Sequence, residues 1–279
     1  MSTEKDREAA KQELAQYYDR SAHEYYETHY QRSCHYSPLR YRQRYIEEMI
    51  ENLDIPKGAR VLDVGCGPGE LTLSLLKKGY SVWAVDISQA MVDEAMRNIN
   101  ANGFPEWKQV YVGDIEQLEF SDDSFDVVVA AGVIEYQQDD EKALSEMQRI
   151  LKKDSHVILN VTNRYSPMLI LSQPYSWLKK QAAARAILDL LKQRILGRGR
   201  ITPLPSRRIH SPRKFDKKLS ELGLEKTGHN YFHFSPLPSP LCPLFGSICS
   251  PMGRWMEKLT GGPFGFLGGG YIVIARNCR

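Results

Sequence analysis

Short apolar runs and longer stretches of helical period alternate along the chain. Val61-Leu-Asp-Val64, Tyr80-Ser-Val-Trp-Ala-Val-Asp86, Val110-Tyr-Val112, Phe125-Asp-Val-Val-Val-Ala130 and Ser155-His-Val-Ile-Leu-Asn-Val161 gather β-branched and aromatic residues between turn residues, as buried strands do. Two later runs, Thr227 to Phe234 and Tyr271 to Ala275, read the same way. Between them, Leu71-Thr-Leu-Ser-Leu-Leu76 has helical character, and Ile87-Ser-Gln-Ala-Met91 opens a second helix with Ser88 as its N-cap. Glu141 to Leu151 places Ala143, Leu144, Met147, Ile150 and Leu151 on one helical face, and Phe215 to Leu222 forms a further helix. Strands alternating with helices predict an α/β fold: a doubly wound, mainly parallel, seven-stranded sheet with helices on both faces. Ligands on such sheets collect beyond the carboxyl ends of the strands.

The first strand runs straight into Gly65-Cys-Gly-Pro-Gly69. Glycines there remove the Cβ atoms that hold a ligand off the backbone, and the following helix offers unpaired N–H groups and a positive dipole end. A dinucleotide fingerprint requires a small residue three positions after its second glycine, where this chain has the bulky acid Glu70. That argues against NAD or FAD. Asp63, inside the strand end, is costly to bury unless it meets a cationic or hydrogen-bonding partner.

Val61 to Glu70 resembles the cofactor loop of class I S-adenosylmethionine-dependent methyltransferases, of the small-molecule and lipid-type methyltransferase-11-like kind. The likeness extends over about a hundred residues. Asp86 ends the second strand about 20 residues beyond the loop, the spacing at which a carboxylate accepts both hydroxyls of a ribose. The resemblance implies a Rossmann-like sheet and S-adenosyl-L-methionine as cofactor. It assigns the cofactor site to Asp63, Gly65, Cys66, Gly67 and Gly69, then to Asp86, Ile87 and Met91, with Met91 against the adenine face. Gly113, Asp114 and Ile115 follow, Asp114 standing where the family's acid bonds the adenine amino group, and the Ala130–Ala131 backbone completes the set. Family members often end the segment after the fourth strand in an acid followed by His, whereas this chain has Glu135-Tyr136.

Length and composition fit one domain with additions. The chain has 279 residues and 42% apolar content, enough for a substantial core. The expected organisation is a helical lid over residues 1–56, a cofactor-binding core over 57–163, a basic helical insertion between the fifth and sixth strands over 164–214, and C-terminal core strands with a proline-rich loop over 215–279. Cys34, Cys66, Cys242, Cys249 and Cys278 have no C-x-x-C spacing, so reduced thiols, a cytoplasmic setting and no metal site are expected. The polar N-terminus does not read as a signal peptide, and no run of about 20 apolar residues implies a membrane span.

Three regions bear on the acceptor. Leu14 to Glu51 carries eight tyrosines, which either pack a helix pair on the sheet or, as in the opening segment of many small-molecule methyltransferases, form a lid. Tyr18, Tyr25 and Tyr26 are the lid candidates, with aromatic faces able to meet a sulfonium. Arg164 to Lys214 holds twelve Lys or Arg and one acid, Asp189, a local net of +11 against +3 for the chain. With leucines beside the cations, this insertion suits either an anionic membrane surface, a lipid-like acceptor, or a solvated helical cap. RNA ranks below lipid because aromatic residues do not interleave with the basic ones. Phe234 to Trp255 is proline-rich and apolar, predicting an extended, semi-rigid loop.

Methyl transfer needs alignment more than acid–base chemistry, so no catalytic residue is assigned. Glu135, Tyr136, His156, His210, His229 and His233 are the candidates for a base. The reading favoured is methyl transfer to a small or lipid-like acceptor, at oxygen ahead of nitrogen or carbon, with peripheral contact with an anionic membrane. The alternatives are an RNA methyltransferase and a non-catalytic cofactor-binding module.

Overall fold

The computed structural model describes residues 4–27, 30, 37–180, 207–235, 237, 246–260 and 262–279. Seven strands build one sheet: β1 (Arg60–Val64), β2 (Ser81–Asp86), β3 (Val110–Val112), β4 (Phe125–Ala130), β5 (Leu151–Thr162), β6 (Leu224–Phe232) and β7 (Gly270–Asn277). Their order is β3-β2-β1-β4-β5-β7-β6, and β7 is antiparallel to both its neighbours while the other pairs are parallel. Chain order runs outward in one direction from β1 and in the other from β4. A crevice therefore opens beyond their carboxyl ends.

The inner strands are apolar on both sides because both sides are covered. Val127 and Val129 join one layer, where α2 (Pro38–Glu51) inserts Tyr45, Ile46, Met49 and Ile50. Val128 and Ala130 join the opposite layer, filled by Ala143, Leu144, Met147 and Ile150 of α5 (Asp140–Ile150) and by Phe215 and Leu219 of α7 (Pro212–Glu221). α3 (Glu70–Lys77) and α4 (Gln89–Ala101) follow β1 and β2, and Val92, Ala95 and Ile99 of α4 pack on Leu73 and Ala84. Each such side chain contributes roughly 1.5–3 kcal/mol on full burial.

Several boundaries differ from the sequence reading. β6 begins at Leu224, ahead of Thr227, because its antiparallel pairing with β7 starts at Leu224 opposite Asn277. The helix expected from Phe215 starts at Pro212, with Pro in its first turn after Ser211. The proline-rich stretch is not extended throughout: α8 (Gly246–Met256) contains Pro251, whose ring removes one backbone donor without ending the helix. Tertiary bonds hold its end, where Glu257 accepts from the backbone N–H of His233 at 2.9 Å and from the Tyr45 hydroxyl at 3.2 Å. Residues 236 and 238–245 of that stretch lie outside the described residues.

The insertion opens with α6 (Pro167–Lys180), and its centre, residues 181–206 with Arg185 and Lys192, lies outside the described residues. The core resumes before Phe215. Arg208 donates its backbone N–H to Glu135 O at 2.7 Å, His210 donates to Thr162 O at 2.9 Å, and Arg164 donates to His210 O at 2.8 Å. Asn163 sits at this junction, fully buried, its Nδ2 donating to the carbonyls of Phe266 at 2.7 Å and Gly268 at 2.8 Å. Helix α1 (Glu4–Tyr26) crosses the carboxyl end of the sheet against α4.

Asn163→Ala removes both donors and strands two buried carbonyls, at roughly 1–3 kcal/mol for each group left unpaired. Chemical denaturation should show a lower midpoint with an unchanged slope, and an unchanged midpoint would contradict the anchoring role.

Candidate functional site

A cavity of about 910 Å³, counted out to its mouth, lies over the carboxyl ends of β1, β2 and β4 and beneath α1. The turn after β1 forms its floor. Gly65 and Gly67 both take left-handed φ values, 70° and 53°. A Cβ on Gly65 would fall 2.1 Å from Val133 Cγ2, so the turn packs directly on the loop after β4. A Cβ on Gly67 would meet nothing within 4 Å, because that position faces the open cavity.

Asp86 closes the floor. Its Oδ2 accepts from the backbone N–H of Gly67 at 2.9 Å, and its Oδ1 accepts from that of Ser88 at 3.0 Å. Burial raises its pKa, and the backbone donors pull it back. A carboxylate has about four acceptor sites, so Asp86 retains capacity for hydroxyl donors from the cavity. Ser88 caps α4 as expected, its Oγ accepting from Met91 N–H at 3.2 Å.

Of the residues expected at the cofactor, Gly65, Cys66, Gly67, Asp86, Ile87, Met91, Gly113, Asp114, Ile115 and Ala131 line the cavity. Asp63, Gly69 and Ala130 do not. Asp63 points beneath the turn and accepts from the Thr72 hydroxyl at 2.7 Å. Gly69 turns its Cα toward Ala95 and Ile99 of α4, and Ala130 faces the packed core. The Asp114 carboxylate is engaged by Lys11 of α1, which also reaches Glu116 at 2.8 Å.

The lid candidates divide. Tyr18 and Tyr25 line the cavity, and the Tyr18 hydroxyl donates to Tyr136 Oη at 3.0 Å. Burial pushes both phenols above their usual range. Tyr26 does not line it, because its hydroxyl turns away to donate to Asn98 Oδ1 at 3.0 Å. Asp19 holds α1 down from the same side, accepting from Ser88 Oγ at 2.6 Å and from Ala90 N–H at 3.2 Å.

Among the candidate bases, Glu135 and Tyr136 line the cavity, and the four histidines do not. His156 lies in β5, His210 sits 3.3 Å from Asp140, and His229 packs against Tyr231. His233 is held neutral, its pKa lowered to about 4 by burial and then by the charge of Arg207. Glu135 is buried, with Oε2 accepting from the Thr162 hydroxyl at 2.7 Å.

Two charged lining residues escaped the sequence reading, Arg42 and Arg207. A signal existed for the first: Arg42 shares its helical face with Tyr45, Ile46 and Met49, so it is an arginine on the buried stripe of α2. Its guanidinium Nη1 lies where a Cβ of Gly132 would be. For Arg207 no local signal exists, since it is one of twelve cations in its segment. Among the described residues no group of three or more metal-ligating side chains converges, and no helix is long and apolar enough to cross a membrane.

Known proteins agree with this geometry. The family described as a methyltransferase domain matches residues 62–159. A phosphatidylethanolamine N-methyltransferase of Cereibacter sphaeroides is 33% identical over 103 residues, 37% of this chain and 50% of that protein. A ubiquinone biosynthesis O-methyltransferase of Alkalilimnicola ehrlichii is 30% identical over 152 residues, 54% of this chain and 56% of that protein. The chain thus spans about half the length of these relatives. The structure of magnesium protoporphyrin IX methyltransferase from Synechocystis, with bound S-adenosylhomocysteine, superposes with a TM-score of 0.64 at 15% identity, covering 96% of this chain and 99% of that one. At that identity the likeness concerns the fold.

Burial removes water from Asp63 and pushes its pKa up to about 6, although the Thr72 hydroxyl and the positive charge of Arg42 lower it in part. The native state therefore binds the proton more tightly than the unfolded chain does. Stability from this residue is full below its unfolded pKa, near pH 4, and is lost as pH rises through about 6, by up to about 3 kcal/mol. Asp63→Asn should remove that decline. Unfolding free energies at pH 4 and pH 7 test this: the variant should gain on the wild type toward pH 7, and parallel profiles would refute it.

Proposed function

We propose that this chain, which is similar to the methyltransferase-domain family over residues 62–159, is a class I S-adenosylmethionine-dependent methyltransferase that transfers a methyl group to a small or lipid-like acceptor, at oxygen. The observation that carries the reading is the pairing of an open Gly67 cradle with a buried Asp86 carboxylate that keeps free acceptor sites.

The residues present fit the cofactor. Gly65, Cys66 and Gly67 would lie along it, Asp86 would accept the ribose hydroxyls, and Met91 and Ile115 would flank the adenine near Asp114. Arg42 is the cation on the glycine-turn side of the cavity, and we assign to it the carboxylate of the methionine moiety. When bound, S-adenosylmethionine supplies a methyl group already activated by its sulfonium. The protein's part is to exclude water under α1 and to orient the acceptor. Oxygen as the methylated atom is supported by the O-methyltransferase among the relatives.

A lipid-like acceptor is supported by the two relatives, one named for a phospholipid and one for ubiquinone biosynthesis. Ile170 and Leu171 of α6 and Trp255, Phe264 and Phe266 are exposed, in a chain whose Arg164–Lys214 segment carries a net +11. Apolar side chains beside concentrated positive charge suit peripheral contact with an anionic membrane surface.

Incubation with S-adenosylmethionine labelled in the methyl group and fractionated cell extract should label a lipid or small-molecule fraction and release S-adenosylhomocysteine. Cofactor binding without turnover in any fraction would refute the enzyme. Asp86→Ala should weaken cofactor binding more than tenfold by calorimetry, since each charge-assisted hydrogen bond is worth roughly 1.5–3 kcal/mol. Arg42→Ala should do the same, and normal affinity in either variant would remove that residue from the site.

The protein should also cosediment with vesicles containing phosphatidylglycerol, less so as salt rises, with each basic side chain at the surface contributing up to about 1 kcal/mol. Absence of sedimentation at low salt would leave a methyltransferase without membrane contact.

A further inference from the structure

The wall of the cavity at the loop after β4 has a chemistry of its own. Arg207 and Tyr136 meet there, the guanidinium carbon 5.2 Å from the ring centroid, with Tyr18 and Glu135 beside them. This inference rests on the methyltransferase reading and concerns which acceptor the site takes.

Arg207 and its neighbour have different duties. Arg208 is structural: its Nη1 donates to Gln137 O at 3.1 Å and to the Asp140 carboxylate, while its backbone N–H binds Glu135 O. That strap fixes the position of Arg207. The Arg207 side chain itself makes a looser contact, Nη1 to Glu135 Oε1 at 3.4 Å, outside hydrogen-bonding geometry. A guanidinium carries five N–H donors in a planar fork, so most of its valence is unspent among the described residues.

Tyr136 has the same surplus. Its oxygen accepts the proton of Tyr18, so its own hydroxyl hydrogen needs an acceptor elsewhere. Glu135 supplies little, because Thr162 occupies Oε2 and Arg207 faces Oε1. The local count is therefore rich in donors and poor in acceptors. A planar fork beside a hydroxyl donor is complementary to an oxyanion, which arginine binds through two parallel hydrogen bonds.

We infer that the methyl acceptor carries a carboxylate or phosphate group that docks on Arg207 and the Tyr136 hydroxyl, making Arg207 the specificity-determining residue of the acceptor site. The tyrosine rings of Tyr18 and Tyr25, with Val133, would hold an apolar or aromatic body next to that group. With Arg42 assigned to the cofactor carboxylate, the two cations would take one anionic group each.

The test uses the full chain saturated with S-adenosylhomocysteine and three probes, benzoate, phenyl phosphate and benzyl alcohol, with binding followed by calorimetry. At least one charged probe should bind tenfold or more tightly than benzyl alcohol, and which one does so separates carboxylate from phosphate. Arg207→Gln should abolish the preference, Arg207→Lys should retain part of it, and Tyr136→Phe should reduce it. The double variant Arg207→Gln, Glu135→Gln removes the ion pair without leaving a lone buried charge, and it should behave as Arg207→Gln does. S-adenosylhomocysteine affinity should stay within twofold in all of these, which reports an intact fold and cofactor site. Equal binding of charged and neutral probes by the wild type, or a charge preference that survives Arg207→Gln, would overturn the inference. Failure of the wild type to bind S-adenosylhomocysteine is a separate result that would sink the methyltransferase reading, and this one with it.

Discussion

The Asp86 carboxylate ties together two turns that would otherwise be independent. One is the left-handed turn after β1, held through Gly67 N–H, and the other is the start of α4 after β2, held through Ser88 N–H. Buried backbone donors must find acceptors, and here one side chain satisfies both. The link continues outward, since Ser88 Oγ donates to Asp19 of α1 while accepting from Met91 N–H. The floor and the cover of the cavity are therefore parts of one hydrogen-bonded network, and its members strengthen one another in a low-dielectric setting.

Three acids stand near the ends of the first three strands, and their neighbours give them three different fates. Asp63 is under the turn, satisfied by Thr72 and raised in pKa by burial. Asp114 is half-exposed and engaged by Lys11 on one oxygen and Glu116 N–H on the other. Asp86 alone of the three is bonded mainly by backbone donors and still faces the cavity. Sequence position treats all three alike, whereas their surroundings put Asp63 beneath the turn, tie Asp114 at the cavity wall to α1, and leave Asp86 facing the cavity with spare acceptor sites.

The central strands were legible because both faces of the sheet are covered, which forces continuous apolar runs such as Phe125 to Ala130. The glycine turn was legible because left-handed φ values leave few alternatives to glycine. Less legible were features set by tertiary pairing: the early start of β6 follows from its partner β7, and α8 tolerates Pro251 because Glu257 beyond it is bonded to Tyr45 and His233. Tyr26 shows the same limit. Its spacing matches Tyr18 and Tyr25 well enough to join them in a sequence reading, yet one rotation about α1 takes its hydroxyl to Asn98. Arg207 lay beyond reach for a different reason. Its role depends on a strap between Arg208 and Glu135, residues 73 positions apart in the chain.

Arg42 and Arg207 line one cavity, and the positive charge of each reaches the Tyr25 phenol. Arg42 is held by its place on the buried face of α2, and the backbone beside Arg207 by the strap from Arg208 to the loop after β4. The cover, in contrast, is held largely by exchangeable polar contacts, Lys11 to Asp114 and Asp19 to Ser88, which are weaker and more sensitive to solvent than the packed sheet. Misplacement of the reacting atoms by about 1 Å can cost a hundredfold in rate, so cations carried on α2, which packs on the sheet, and on the strap to Glu135 suit the holding of ligands, while α1 adds Leu14, Tyr18 and Tyr25 to the wall.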